Sequence, residues 1–263
     1  IAPTFSYTDT PTISYTPLDG DQFVSEMLTP ITANRLFLMN QSGWSVASIF
    51  KLCLSKINDV WHAPSASRPG AQVAPEFEKF DQALLHIRNL GNKVELQYTV
   101  IGGSLQPTLT FAEGALESPD GEKLIKLLGL APNVRNFVIS VNQHEKKNNI
   151  INVKTRSMFG IMSLMSYAVE APKKDYANGT IAKTMTSTGE VFDWRKITHD
   201  IFRVQTSSGQ PSSALVSVKH NNNWFFISKK DLDSQAVFAM LSQLLSLQKG
   251  SKAPPPTLTI PVK

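Results

Sequence analysis

Hydrophobic and polar residues alternate most regularly near the end of the chain. Valines at alternate positions of Leu215–Lys219 predict a half-buried strand, and the aromatic run Trp224–Ser228 predicts a second strand. Between them, His220–Asn223 reads as a polar turn, because Asn tolerates left-handed backbone angles and bonds its own backbone. A turn this short makes the two strands antiparallel neighbours. With Ile201–Gln205 as a third strand, the pattern predicts a C-terminal strand meander.

A long amphipathic helix is predicted directly after the meander, over Asp233–Gln248. Asp231 or Asp233 can cap this helix by accepting hydrogen bonds from the free N–H groups of its first turn. Apolar residues recur with helical spacing, so one face of the helix is expected to cover the sheet. The residues of that face are Val237, Phe238, Leu241, Leu244, Leu245 and Gln248.

The rest of the body mixes predicted helices with predicted strands. Helical spacing indicates a helix after the N-cap Ser45, in which Cys53 is a small core residue, and a long helix over Asn152–Val169. Pro75 and Ser118 begin two further helices. A helix at 31–40 and strands at 94–100, 107–111 and 136–141 complete the pattern. The prediction is an α+β fold in which helices pack on a small antiparallel sheet.

The two ends of the chain differ from the body in composition. Residues 1–21 are rich in Thr, Pro, Ser and Tyr, and residues 251–263 contain a proline run, so both are expected to be extended. Residues 22–250 form a single predicted body, with a subdivision at 142–152 as the alternative. Extended ends suit partner binding or strand addition, and a tail that folds back on its own sheet is the alternative. The residues expected to contact partner proteins are Pro254, Pro255, Pro256, Leu258, Ile260, Val262, Phe5, Tyr7 and Tyr15.

Charge and composition argue against nucleic acid, metal and cofactor binding. The 263 residues carry a net charge of +5, but their densest basic groups are separated lysine pairs, as on a solvated surface. Cys53 is the only cysteine and the five histidines are scattered, so neither a disulfide nor a zinc site is expected. We predict no cofactor and no nucleic-acid partner.

Two observations concern the membrane. The chain contains no run of about 18 apolar residues, so no membrane-spanning helix is predicted. The first residue is Ile1 rather than Met, from which we expect that an upstream segment has been removed.

The sequence contains no catalytic motif that would identify an enzyme. Neither a G-x-S-x-G nucleophile turn nor a phosphate-binding glycine loop is present, and Gly102–Ser104 reads as a hairpin turn. His199 and Asp200 beside Arg195 are the one acid–base candidate, but the sequence identifies no nucleophilic residue that would act with them. The prediction is therefore a protein that is not an enzyme.

Three stretches resemble a family of uncharacterised proteobacterial envelope lipoproteins. They are VKTRSMFGIMSLMSYAV (Val153–Val169), FDWRKITHDIFRVQ (Phe192–Gln205) and VKHNNNWFFISKKDLDSQAVFAMLSQLLSLQ (Val218–Gln248). The segment Asn34–Ser67 is similar in the order of its features. Relative to that family, the second hairpin strand here has phenylalanine instead of tyrosine, and Lys229 stands where an acidic residue is typical.

The resemblance implies a structural component of a bacterial cell-envelope complex. Such a protein would be lipid-anchored upstream of this chain, on the periplasmic face of the outer membrane, with other envelope or secretion-complex proteins as its partners. The resemblance further implies an accessory part of the Dot/Icm type IV secretion outer-membrane complex in Legionella-like bacteria. A periplasmic hydrolase assembled from distant residues, and a module that binds cell wall or another anionic partner, remain the alternatives.

Overall fold

The computed structural model describes residues 20–63, 72–142, 145 and 147–249, which form both helices and strands. The helices are α1 (Gly20–Leu28), α2 (Ala33–Gln41), α3 (Val46–Cys53), α4 (Glu78–Leu90), α5 (Pro119–Leu128), α6 (Met158–Ser166), α7 (Lys173–Ala177), α8 (Arg195–Thr198) and α9 (Leu232–Lys249). The strands are β1 (Leu54–Ile57), β2 (Val60–Trp61), β3 (Gln72–Val73), β4 (Val94–Ile101), β5 (Ser104–Phe111), β6 (Asn136–Ser140), β7 (Ile150–Thr155), β8 (Thr184–Met185), β9 (Gln205–Ser207), β10 (Ala214–His220) and β11 (Asn223–Ser228). The predicted α+β class is confirmed.

The larger sheet has six strands in the order β2-β1-β7-β6-β5-β4. Its neighbouring strands are antiparallel except β6 and β7, which run parallel. Phe111, Phe137 and Ile151 point from this sheet into the core, where α2, α3 and α4 cover one face. The main sheet is therefore mixed and larger than the small antiparallel sheet that the sequence predicts.

The smaller C-terminal sheet has three antiparallel strands in the order β10-β11-β9. Asn221 and Asn222 join β10 to β11 with φ values of 46° and 62°, the left-handed conformation that two-residue hairpin turns require. The predicted antiparallel hairpin is confirmed. Its third strand, however, pairs with β11 rather than with β10, so the strand order differs from a sequential meander.

The strand predicted over Ile201–Gln205 is wrong in its bounds, because β9 begins only at Gln205. The backbone N–H groups of Ile201 and Phe202 both donate to the carbonyl oxygen of Thr198, which continues the turn of α8. Consecutive residues Ile201 and Phe202 are both buried, whereas successive residues of a strand point to opposite faces.

The long helix predicted over Asn152–Val169 is also wrong in its first part. Residues Ile150–Thr155 form β7, between β1 and β6, and only Met158–Ser166 are helical. Ser157 begins the helix by accepting a hydrogen bond from the backbone N of Gly160 at 3.1 Å. Pairing with strands on both sides decides the conformation of a β-branched segment that helical spacing alone assigns to a helix.

The C-terminal helix is confirmed as α9, and Asp231 caps it by accepting from Ser234 N at 3.0 Å. Most of its predicted face is confirmed, because Leu244 is fully buried and Val237, Leu241 and Leu245 are partly buried against the core. Phe238 is the exception at 41% exposed, and Met240, outside the predicted face, is fully buried. The reason is the neighbour, because α9 packs on α1 and α2 and not mainly on the sheet. A hydrogen bond of 2.7 Å from Trp44 Nε1 to the Gln243 side chain joins this helix to the segment between α2 and α3.

Gly121 in α5 packs directly against backbone. A Cβ atom at this position would lie 2.2 Å from the carbonyl oxygen of Ala115 and 2.5 Å from Leu116 Cα. Gly121→Ala is therefore expected to lower the free energy of unfolding by about 2 kcal/mol, despite the better helix propensity of Ala. Gly209→Ala is the control, because a Cβ at Gly209 meets nothing within 4 Å. Equal thermal midpoints for the two variants would contradict the close approach.

Candidate functional site

The first polar cluster joins three parts of the chain beside α4. Lys51 Nζ lies 2.8 Å from Asp81 Oδ1 and 3.1 Å from Asp200 Oδ1. Arg88 approaches the other oxygen of Asp200 at 3.4 Å. Only 8% of the Lys51 side chain is exposed, so its ammonium group depends on the two carboxylates for compensation. The cluster therefore ties the segment after α8 to α3 and α4.

The two carboxyl groups respond differently to the same lysine. Burial raises the pKa of Asp81, and the hydrogen bond and charge of Lys51 offset only part of that rise. Burial acts on the pKa of Asp200 in the same direction, but Lys51, the charge of His199 and the Arg88 hydrogen bond outweigh it and leave that pKa below its ordinary value. Asp200 is consequently the better stabilised carboxylate of the pair.

His199 and Asp200, the acid–base candidate of the sequence, lie close together, but no hydrogen bond joins their side chains. The His199 side chain is 65% exposed, and its Nδ1 is 4.0 Å from Asp200 Oδ1 and 3.0 Å from the carbonyl oxygen of Arg195. The Arg195 guanidinium is instead bound to Asp193, at 2.8 Å between Nη2 and Oδ2. Among the described residues, His199 hydrogen-bonds no serine or cysteine that could act as a nucleophile.

Asp200→Asn is expected to lower the free energy of unfolding at pH 7 by about 1 to 2 kcal/mol, because Lys51 loses one of two charged partners. A depressed pKa in the folded protein means that ionised Asp200 contributes stability above its ordinary pKa of 3.8, and that this contribution is lost as the pH falls through the folded pKa. The difference from the unchanged protein should therefore shrink below pH 3.8 in urea titrations. His199→Ala is the control, and an equal loss for His199→Ala would contradict this assignment.

The second polar cluster surrounds Arg156, which follows β7 and is only 1% exposed. Its Nη1 donates to the carbonyl oxygens of Leu54 and, at 3.3 Å, of Leu52. Its Nη2 lies 3.0 Å from His62 Nδ1 and donates to the carbonyl oxygen of Ala63 at 2.6 Å. One side chain thus ties together the junction of α3 with β1 and the segment that follows β2.

The partners of Arg156 in the described part of the chain are carbonyl groups and a neutral ring. Burial lowers the pKa of Arg156 to about 9, which leaves the guanidinium charged at pH 7. Burial and the Arg156 charge together hold the pKa of His62 well below its ordinary value, so the ring is neutral and Nδ1 accepts. Cys53 is fully buried, which confirms it as a core residue, and this burial raises the pKa of its thiol to about 12.

The concave surfaces of the described residues lie apart from both polar clusters. A groove of about 370 Å³ opens where β5 and β6 diverge, beside Pro107 and Val141, and an open hollow lies beside Val24 and Pro30. The described residues contain no group of three or more His, Cys, Asp or Glu side chains that could hold a metal ion. None of their helices is long and apolar enough to cross a membrane.

The most exposed apolar strand of the smaller sheet is β10. Val218 is 60% exposed, Leu215 46% and Val216 38%, and the aromatic side chains of β11 are only half-buried. Residues on β10 and β11 that face the same way form one surface, because the register pairs Val216 with Ile227 and Val218 with Phe225. We name the side chains of Val216, Val218 and Phe225, the neighbouring exposed Leu215 and the outer edge of β10 the hairpin surface.

The outer edge of β10 has no neighbouring strand in the described structure. The opposite edge of the sheet is partly covered, because Val204 pairs with Val169 and the Thr206 hydroxyl donates to the carbonyl oxygen of Glu170. The exposed valines of this edge strand form an apolar surface of the kind that another chain can cover, whereas Lys219 on the same strand discourages unspecific strand pairing.

Comparisons of the chain with family models, with curated proteins and with solved structures found no match.

The partner-contact residues predicted at the two ends, from Phe5 to Tyr15 and from Pro254 to Val262, lie outside the described residues. Sequence reasoning did not find Arg156 or Lys51 as buried charges. It identified the strand and aromatic signals of the hairpin surface but not its exposure, which depends on the strand order.

Proposed function

We propose that this chain is a non-catalytic assembly component of a bacterial cell-envelope complex, which docks on partner proteins through the hairpin surface. The observation that carries the proposal is the exposure of Val218, Leu215 and Val216 on β10, whose outer edge has no neighbouring strand among the described residues. The resemblance to envelope lipoproteins includes this same hairpin and α9. It favours a type IV secretion outer-membrane complex as the assembly and a lipid anchor upstream of the chain.

The polar clusters support a structural role for the charged residues of the core. Lys51 and Arg88 balance the charges of Asp81 and Asp200, and the two terminal nitrogens of Arg156 bind backbone carbonyls and His62. Groups used in this way hold separate segments of the chain together. They leave the exposed apolar residues as the feature best suited to interact with other molecules.

Val218→Asp is expected to abolish co-purification of the full-length protein with its envelope complex, because it places a charge in the apolar docking surface. The free energy of unfolding should change little, since Val218 is 60% exposed. Val100→Asp is the matched control: Val100 lies on β4 in the other sheet and is 68% exposed. The test is affinity purification from detergent-solubilised membranes with partners identified by mass. Loss of the complex with both variants, or with neither, would argue against the hairpin surface.

A second candidate function, binding of an anionic cell-wall polymer, is favoured by the surroundings of Trp61. The Nζ atoms of Lys56 and Lys154 lie 4.9 Å and 5.7 Å from the centre of its ring, and Trp61 is 49% exposed. An exposed ring flanked by two ammonium groups can stack on a sugar and attract its acidic substituents. Co-sedimentation with purified peptidoglycan tests this function. Trp61→Ala and added salt should both reduce the amount of protein that co-sediments. If the unchanged protein does not co-sediment with peptidoglycan, this candidate function is excluded.

A further inference from the structure

The backbone register of the hairpin determines which groups of β10 face outward. Asn221 and Asn222 form a two-residue turn, so His220 and Asn223 are a hydrogen-bonded pair. Hydrogen-bonded pairs recur at every second residue, so the backbone N–H and C=O groups of Val218 and Val216 point toward β11. The N–H and C=O groups of Ser217 and Lys219 consequently point away from β11, toward the open edge.

The strands of the smaller sheet contain one charged residue, Lys219, and no Asp or Glu. Lys229 and Lys230 follow β11 directly and precede Asp231, the cap of α9. Lys219 lies on the outer strand itself, and its side chain points to the face opposite that of Val218. A strand laid along this edge would therefore meet positive charge on one face and the apolar side chains of Val216 and Val218 on the other.

We propose that the outer edge of β10, which no described strand pairs with, binds an extended acidic segment of a partner protein by strand addition. The segment alternates aliphatic residues, which lie beside Val216 and Val218, with acidic residues, which lie beside Lys219. Main-chain hydrogen bonds to Ser217 and Lys219 supply affinity, and the two faces supply specificity. This inference rests on the proposed function and names the chemistry of the partner.

The charge of the C-terminal segment of this chain does not suit it to the same edge. Residues 250–263 include Lys252 and Lys263 and no acidic residue, so they would bring positive charge to a positive sheet. Residues 1–19 include Asp9 and Asp19 and no basic residue. Binding of residues 1–19 to the edge of β10 is therefore the competing outcome that the experiment has to detect.

The experiment is amide NMR of the full chain with a synthetic peptide as the probe. The probe is an acetylated, amidated peptide of sequence Gly-Ser-Val-Glu-Val-Glu-Val-Ser-Gly, and the control peptide has Lys in place of both Glu residues. Binding is expected to shift the amide signals along β10 and to slow hydrogen exchange at Ser217 and Lys219. The affinity should fall when the salt concentration is raised from about 0.05 M to about 0.5 M.

Ser217→Pro is the decisive variant, because it removes an outward N–H and keeps the hydrogen bonds between β10 and β11. It is expected to weaken probe binding at least about tenfold, whereas Ser217→Ala should bind like the unchanged protein. Equal binding by Ser217→Pro, or equal binding of the lysine peptide, would overturn the proposal. Slow exchange at Ser217 and Lys219 in the free protein, with no probe binding, would also overturn it, because the chain would then fill its own edge.

The same variants separate this proposal from the proposed function. If Val218→Asp loses the envelope complex while Ser217→Pro keeps it, the hairpin surface is the docking site but strand addition is wrong. If both variants keep the complex, the docking site itself is wrong.

Discussion

Arg156→Met is expected to lower the free energy of unfolding by about 3 kcal/mol or more. Met fills most of the space of the arginine stem but donates no hydrogen bond. The carbonyl groups of Leu54 and Ala63 and the Nδ1 atom of His62 then lose a buried donor, and each unsatisfied group costs about 1 to 3 kcal/mol. Part of this cost is offset, because the replacement also removes the buried guanidinium charge. Urea denaturation at pH 7 measures the difference.

Two further replacements show whether the hydrogen bonds of Arg156 or its charge are responsible. Arg156→Lys keeps a positive charge but cannot donate from the two ends of a planar group, so it should be destabilising as well. Arg135→Met is the surface control, because the Arg135 side chain is 53% exposed and lies 3.8 Å from Glu113. An Arg156→Met protein as stable as the unchanged one would show that the second polar cluster does not hold its segments together.

Met240→Asp is expected to destabilise the protein by about 3 kcal/mol or more, since Met240 is fully buried where α9 packs in the core. Phe238→Asp, two residues earlier on the same helix, should cost about 1 kcal/mol or less because Phe238 is 41% exposed. The comparison tests the two positions, Phe238 and Met240, at which the observed face of α9 departs from the predicted one. Thermal unfolding followed by circular dichroism is the measurement. A larger effect at Phe238 than at Met240 would show that the predicted face is the buried one.

Sequence pattern predicts elements well where their signals are local. The Asn221–Asn222 turn, the cap at Asp231 and the cap at Ser45 depend on neighbouring residues, and all three are confirmed. The division of 150–166 into β7 and α6 depends on distant strands, so helical spacing gives the wrong answer there. The same limit explains α9, whose buried face is decided by α1 and α2.

The burial of Lys51 and Arg156 could not be predicted from sequence patterns, for the same physical reason. Lys51 lies among the apolar residues of α3, and its burial is tolerated only because carboxylates from residues 81 and 200 reach it. Arg156 is surrounded by carbonyl groups from residues 52 to 63, about a hundred positions earlier in the chain. No local pattern distinguishes such a side chain from the solvated lysine at position 154, which is exposed.

The burial of Cys53 has a practical consequence for labelling the protein. The chain has one thiol, which is fully buried and, with a pKa of about 12, is not a thiolate at neutral pH. A maleimide reagent therefore reaches it only during an opening of α3 and its neighbours. A second cysteine placed at Val218 would react much faster, so a fluorophore or a photo-crosslinker can be attached to the edge of β10 without first removing the native thiol.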